Sequence, residues 1–509
     1  MGLYDFTFYD LIRRNAACFA ARPALRDPEE GLTLTFAEVR DRVDRLAEGL
    51  RRAGVAKGDR IGVLGKNSLE YFLLYGAAAA LGAIVVPVNW RLSAEEALYN
   101  LEDTAPKVLF ADAEYVDMLA SARARLPSVE RRFDLRTAVA GGFEPFAALL
   151  AGPPLAAPEA VGDEDGFVII HTAAVAGKPR GALLCHRNLI AANVHLNLLL
   201  RLDPGDVHLG LLPLFHVGGL FMATMAFHAG ALNLSMSKFD AARAVAWIER
   251  EGVSVLFDFS PILASLLDEA EKAGAGLATL RRVIGIEIPE TIERYRARTG
   301  GTFFVMYGQT ETSAIATLGR YEDRPGSAGR CIPLAEVRLL DDDDRPVAAG
   351  EVGEIAVRGP MVFLGYWNLP EETARAFRGG WHHTGDLGRF DGEGFLFYAG
   401  RKPEKELIKP GGENVYPAEV ERAILEHPAV EKTVVFGVPD PKWKEGIKAV
   451  CQLKPGARLE ARELIRFVGE RIASYKKPQY VEFVDELPLS PDGTPDRAAV
   501  KRRWGGLQG

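Results

Sequence analysis

The stretch Phe167-Val168-Ile169-Ile170-His171-Thr172-Ala173-Ala174-Val175-Ala176-Gly177-Lys178-Pro179-Arg180-Gly181-Ala182-Leu183-Leu184 decides how the rest of the chain is read. Two apolar, strand-like runs flank a short loop that carries positive charge, giving the pattern strand, anion-binding loop, strand. Gly177 and Gly181 let backbone N–H groups approach an anion, Pro179 fixes one dihedral, and Lys178 and Arg180 supply cations. A basic hairpin tip is the plain alternative for this stretch taken alone. The loop is not a Walker motif. Pro179 follows Gly177-Lys178 where Ser or Thr is required, and no glycine precedes at the needed spacing.

Upstream, Thr35-Phe36-Ala37-Glu38 has capping-box spacing, and Phe36, Val39, Val43, Leu46 and Leu50 then follow at steps of three and four, which predicts an amphipathic helix ending at Gly54. Strands are predicted at 60–64, 84–88 and 108–111, a helix at 68–81, and a second capped helix start at Ser93-x-x-Glu96. Strands separated by helices imply a parallel sheet with helices on its faces. Downstream, helices are predicted at 188–200 and 220–229 and strands at 209–214 and 253–257. From about 321 the rhythm changes to short alternating runs, such as 336–340 and 354–358, which predicts antiparallel β structure. Asp341 to Asp344 reads as a solvated hairpin tip in preference to a cation site. The charged, proline-bearing segment 399–407 is the linker candidate, followed by helices at 417–426 and 462–472 and strands at 433–438 and 448–453.

A chain of 509 residues exceeds what one core supports, so at least two domains are expected. The division expected is 1–400, with its β-rich part at 321–400, and 401–509. The net charge is −8 with basic residues scattered, which leaves no footprint for nucleic acid. Cys18, Cys185, Cys331 and Cys451 lie far apart without C-x-x-C spacing, so neither a zinc site nor a disulfide framework is expected and a reducing cytoplasm fits. The first residues show no export or myristoylation pattern. The uncharged run 71–88 is interrupted by Gly82 and Pro87 and parses as a buried helix followed by a buried strand, not as a membrane span.

Several further motifs occur in order: Pro213-Leu214-Phe215-His216-Val217-Gly218-Gly219, Tyr307-Gly308-Gln309-Thr310-Glu311, Gly353-Glu354-Ile355 with Gly359-Pro360, Thr384-Gly385-Asp386, Gly400-Arg401, and Gly411-Gly412-Glu413-Asn414-Val415-Tyr416-Pro417. Together with the loop at 172–181 they resemble the adenylate-forming (AMP-binding) superfamily of acyl-CoA synthetases, luciferases and nonribosomal-peptide adenylation domains, over nearly the whole chain. The resemblance implies an α/β fold. Its large N-terminal domain would hold two parallel-type α/β subdomains and a β-rich subdomain, and a small mobile α+β C-terminal domain would follow. It implies activation of a carboxylic acid with ATP to an acyl-adenylate, then transfer of the acyl group to a thiol, with ATP, Mg²⁺ and coenzyme A required. An anionic carboxylate must meet an anionic phosphate, so cations and backbone donors belong where charge builds up.

By the same resemblance Thr172, Arg180, Glu311 and Arg401 form the catalytic set, with Glu311 as the magnesium ligand. Tyr307 stacks on adenine with Gly285, Ile286 and Glu287 along the base. Gly177, Gly308, Gln309 and Thr310 serve the nucleotide, and Asp386 accepts from the ribose hydroxyls. Gly411, Gly412 and Glu413 enter the site for the second half-reaction and line the pantetheine tunnel, after rotation about a hinge at Glu406. Phe215, His216, Phe257 and Gly285 wall the acyl pocket with Phe259 beside them, His216 as a wall and not a catalyst. The phenylalanines favour a fatty or cyclic acid over acetate, and monomer or homodimer is left open.

Two departures bear on the chemistry. Ala173, Ala174, Val175 and Ala176 replace the hydroxyl and glycine positions of the family loop, while Arg180 replaces its lysine and keeps the charge in a forked geometry. Thr494, in Leu487-Pro488-Leu489-Ser490-Pro491-Asp492-Gly493-Thr494, stands where the family carries the lysine that bridges carboxylate and α-phosphate. Losing one such donor is worth about 3–4 kcal/mol, or about 10²–10³ in rate. The expectation is therefore an acyl-CoA synthetase with slowed adenylation, Arg497 and Lys501 being candidate substitutes. The alternatives are a non-catalytic binder of acyl-CoA or adenylate, and an adenylating enzyme with another thiol acceptor.

Overall fold

The computed structural model describes residues 3, 5–136, 142–172, 179–402, 407–441, 443–490 and 494–506. Among them, seven strands form a sheet in the spatial order Gly365–Tyr366, Arg180–Cys185, Gly166–Thr172, Ile84–Pro87, Arg60–Leu64, Val108–Ala111, Arg131–Asp134. The strands from Gly166–Thr172 to Arg131–Asp134 are parallel, as the strand–helix alternation requires. The stretch around Thr172 departs from that pattern. It is an antiparallel hairpin, with Thr172 opposite Arg180 and His171 opposite Gly181. Gly177, Lys178 and the four substituted positions 173–176 lie outside the described residues.

A second sheet of nine described strands runs Arg330–Cys331, Thr317–Arg320, Thr302–Tyr307, Arg282–Ile286, Val255–Phe259, Val207–Gly210, Leu232–Ser235, Pro23–Asp27, Leu32–Thr35. Its middle six are parallel and its edges antiparallel. One hydrophobic core, from Phe8 to Leu396, joins both sheets through the helices between them. The capping boxes form as the spacing predicts, Thr35 with Glu38 starting Phe36–Arg52 and Ser93 with Glu96 starting Ala94–Thr104. Helix Leu69–Leu81 is buried on every side, which accounts for its uniformly apolar sequence. No helix among the described residues is long and apolar enough to cross a membrane.

The β-rich segment forms a four-stranded antiparallel sheet, Glu336–Leu340, Gly353–Arg358, His382–Phe390 and Leu396–Arg401. It also supplies Arg330–Cys331 to the edge of the nine-stranded sheet and Gly365–Tyr366 to the edge of the seven-stranded one. The segment thus fastens the two large sheets together. The aspartate run is a hairpin tip. Asp341 accepts from the N–H groups of Asp343 and Arg345, while Asp342 and Asp344 pair with Lys402 and Arg378, each at 3.0 Å.

The strand predicted to reach Leu214 stops at Gly210. Pro213 has no N–H to donate, and the buried Asn67 takes over the neighbouring backbone, its Nδ2 donating to Leu212 O at 2.9 Å and its Oδ1 accepting from Leu214 N at 2.7 Å. That clamp delivers Phe215 and His216 to the crevice described below. The linker expected from 399 is strand as far as Arg401. The hinge candidate Glu406 lies outside the described residues.

The C-terminal lobe has its own sheet, Val430–Asp440, Lys444–Leu453 and Tyr480–Val484, packed by helices Pro417–Leu425 and Ala461–Gly469 over a core that includes Ile408, Val420, Ile424, Val435, Ile447 and Leu464. Helix Arg497–Trp504 packs Val500 against a smaller cluster.

Replacing Asn67 by Leu leaves a buried N–H and a buried C=O unpaired. The variant is expected to lose about 2–4 kcal/mol of stability, read in a denaturant unfolding curve, and to leave the C-terminal lobe unaffected.

Candidate active site

Asp386, in strand His382–Phe390, is the centre of the site. Its buried carboxylate accepts from Tyr307 Oη at 2.8 Å and Gln309 Nε2 at 2.5 Å through Oδ2, and from Arg401 Nε at 2.9 Å through Oδ1. Tyr307 ends a strand of the nine-stranded sheet, and Arg401 ends the last strand before the C-terminal lobe. One carboxylate therefore joins three elements. Burial and the Asp386 charge push the Tyr307 hydroxyl well above its ordinary range, so it stays a donor.

Thr172, Arg180, Glu311, Asp386 and Arg401 all line one cavity of about 120 Å³. Arg180 lies 4.1 Å over the Tyr366 ring and pairs with Glu372 at 3.3 Å, while Tyr366 Oη donates to Glu311 Oε1 at 2.9 Å. Arg180 and Glu311 are thus held on one aromatic side chain from its face and its hydroxyl. The apolar lining of this cavity is Val217, Phe257, Phe259, Ile286 and Met306, with His216 and Gly308 also in its wall. His216 accepts from Gly218 N at 3.1 Å through Nδ1 and starts helix Val217–Ala229. Burial, with the nearby Lys409 and Arg91 charges, pulls its pKa down to about 4, so it is neutral at pH 7.

A larger cavity of about 780 Å³ adjoins the first and shares Ile286, Met306, Gly308, Asp386, Arg401 and Lys409 with it. Gly285, Ile286, Glu287 and Tyr307 form one wall, Tyr398 and Gly400 another, and Arg497 and Lys501 reach it from the last helix. Gly285 has φ of 157°, and a Cβ there would stand 1.9 Å from Asp258 O, so no side chain fits between the two strands.

The third cavity, about 80 Å³, lies between the lobes and brings Thr172, Phe215, His216 and Thr310 together with Glu413, Asn414, Tyr475 and Lys476. Glu413 pairs with Arg91 at 2.6 Å. Gly411 has φ of 58° and a would-be Cβ 2.8 Å from the Trp443 ring; Gly412 completes the same turn, which feeds Glu413 into the crevice. Lys476 bridges the lobes, donating to Glu419 at 2.8 Å within its own lobe and to Glu96 across the gap. Glu96 Oε2 also accepts from Ala473 N at 3.1 Å.

Thr494 does not line any of these three cavities. It is exposed, and its carbonyl accepts from Ser490 N at 2.7 Å. Arg497 pairs with Glu421 and donates to Val435 O at 2.7 Å. Sequence reading did not single out Tyr366, Arg91, Lys409 or the Glu96–Lys476–Glu419 group. Their partners lie far away along the chain, and for Lys409 the available signal was a lysine two residues before the glycine pair. Among the described residues no three His, Cys, Asp or Glu side chains gather as a resident metal site.

Residues 12–367 match the AMP-binding enzyme family and residues 419–494 the AMP-binding enzyme C-terminal domain. The chain belongs to the AMP-binding, adenylate-forming enzymes. Within them it is an AMP-forming acid–CoA ligase, using ATP and coenzyme A. It is similar to an indoleacetate–CoA ligase of Aromatoleum aromaticum, at 37% identity over 95% of each chain. It is also similar to a feruloyl-CoA synthase of an Amycolatopsis species, at 35% identity over 93% of this chain and 95% of the other. Among solved structures, an o-succinylbenzoate CoA synthetase of Bacillus subtilis bound to a product analogue superposes with a TM-score of 0.85, at 29% identity over 98% of both chains.

Removing the Asp386 carboxylate strands the mostly buried Arg401. Asp386→Ala is expected to cost about 3 kcal/mol or more in denaturant unfolding, and Asp386→Asn, whose amide oxygen still accepts, clearly less.

Proposed function

We propose that this ligase activates a compact, ring-bearing carboxylic acid and passes it to coenzyme A, with adenylation the slower half. The observation that carries the reading is that one cavity is lined both by the charged Arg180, Glu311 and Asp386 and by the apolar Phe257, Phe259 and Met306. The aromatic rings of Phe257 and Phe259 and the thioether of Met306 suit packing against a ring. The relatives named for indoleacetate and ferulate also point to aryl acids.

In the first step a carboxylate oxygen attacks the α-phosphorus, the bond to the bridging oxygen breaks, and pyrophosphate leaves. Arg180 and Arg401 face that centre with fixed charge, and neutral His216 packs against the acid without removing a proton. Asp386 holds Arg401 and serves the ribose. The Glu311 carboxylate and the Thr310 hydroxyl are hard oxygen donors of the kind that suits Mg²⁺, which binds through one or two carboxylates plus substrate phosphates. Bound there, the ion neutralises phosphate charge. In the second step the coenzyme A sulfur, as thiolate, attacks the acyl carbonyl and AMP leaves. The crevice beside Glu413 and Asn414 gives the thiol its approach, and Glu406 is the pivot between the two lobe orientations.

Thr494 removes one cation from adenylation alone, and a catalyst slows a step and its reversal alike, so the equilibrium is untouched. Synthetic acyl-adenylate plus coenzyme A is expected to turn over faster than acid plus ATP, and Thr494→Lys to raise the acid-plus-ATP rate by up to about 10². Equal rates from both starting points, or no gain in the variant, refute the slow-adenylation assignment. In a panel followed by mass spectrometry, single-ring aryl and alicyclic acids are expected to exceed palmitate in kcat/KM by at least about tenfold. AMP or acyl-CoA binding with no product from any acid would instead identify a binder.

A further inference from the structure

Glu354, from the motif Gly353-Glu354-Ile355, lines none of the three cavities, and its side chain is only 3% exposed. Its carboxylate is nevertheless filled at both oxygens. Oε1 accepts from Gly385 N at 2.9 Å, and Oε2 meets Lys402 Nζ at 3.0 Å, Arg378 Nη2 at 3.0 Å and His383 Nδ1 at 3.1 Å. Burial alone would raise its pKa, but the hydrogen bonds from His383, Lys402 and Gly385 hold it well below the ordinary carboxylate range, so it is an anion at neutral pH.

Two of these donors adjoin the centre of the site. Gly385 immediately precedes Asp386, and Lys402 immediately follows Arg401. Between strands Gly353–Arg358 and His382–Phe390 the register slips at this place: Glu354 faces Leu387 and Ala356 faces His383, so Ile355 alone spans Thr384, Gly385 and Asp386. That is a β-bulge, a device that re-aims a side chain beside an active site. Gly385 has φ of 69°, in the left-handed region that a residue with a side chain enters only at a cost. Within the bulge, side chains take up backbone donors. Glu354 accepts from Gly385 N, and Thr384 Oγ1 accepts from Asp386 N at 3.1 Å while donating to Ile355 O at 2.6 Å. Lys402 N donates to Gly385 O at 3.0 Å and the Lys402 ammonium returns to Glu354, which closes a ring through both motifs. Arg401, opposite Asp386 in the ladder, is the residue before that anchor.

We infer that Glu354 is a positioning residue for nucleotide recognition: it fixes the bulge at 384–386 that presents the Asp386 carboxylate to the ribose hydroxyls, and through Lys402 it holds Arg401 in the same frame. The inference rests on the assignment of the ribose to Asp386 in the reading above. Glu354 itself touches no substrate and exchanges no proton.

The test compares ATP with 2′,3′-dideoxy-ATP, which lacks both ribose hydroxyls, by calorimetry on the full-length protein. Wild type is expected to prefer ATP by at least about tenfold. Glu354→Gln sets an amide among donors that need a carboxylate. It is expected to reduce the preference to within about threefold by weakening ATP, while dideoxy-ATP binds as in wild type. In acid-dependent pyrophosphate exchange its KM for ATP should rise at least about tenfold, with the KM for the acid changed by less than about twofold. A merely structural role would weaken both nucleotides in step; that result, or an unchanged preference, overturns the inference. Where Glu354→Gln does not fold, Lys402→Met decides, since it removes one donor and leaves the carboxylate in place. It is expected to lower the preference at least about threefold, and no change refutes the inference. Wild type that binds the two nucleotides alike refutes the ribose assignment, and the inference falls with it.

Discussion

The crevice depends on one buried carboxylate satisfied from three directions. Asp386 takes hydrogen bonds from Tyr307, Gln309 and Arg401, and these residues belong to the end of the nine-stranded sheet, the turn after it, and the last strand of the β-rich sheet. A buried anion is tolerated only when its lone pairs are filled, and here filling them fixes the mutual positions of the elements that wall the crevice. The Arg401 guanidinium, held from one side by Asp386, donates from the other to Leu407 O at 2.9 Å. The same network therefore reaches across to the first described residue of the C-terminal lobe.

Charge in this site is arranged by fixing each cation before any anion arrives. Arg180 lies over Tyr366 and against Glu372, and Tyr366 in turn orients Glu311. Groups held in this way need little rearrangement to meet an anion, which is the condition under which electrostatic stabilisation is strongest.

What was legible in the sequence was local or carried by short motifs. The boxes at Thr35 and Ser93 announce their helices because both partners lie within four residues. The parallel sheets followed from alternation, and Tyr307, Glu311, Asp386 and Arg401 from compact motifs. The end of the strand at Gly210 and part of the cavity lining were not legible in the same way, and the hairpin at Thr172 was open only as the alternative to an anion loop. Asn67 ends that strand from far upstream, and Val217 and Met306, to which the motifs assign no role, join the expected His216 and Phe257 from separate elements. The pairing of Arg91 with Glu413 spans 322 residues and leaves no periodic trace. Contacts of that kind exist only once both lobes have folded.

Glu96 holds two jobs at once. Its Oε2 accepts from Ser93 N at 2.7 Å to begin a helix in the large lobe, and the same side chain receives Lys476 and Ala473 from the small one. Helix initiation and interdomain registry are thereby written into a single glutamate. A substitution at this residue therefore alters both the first turn of Ala94–Thr104 and one of the contacts that seat the small lobe.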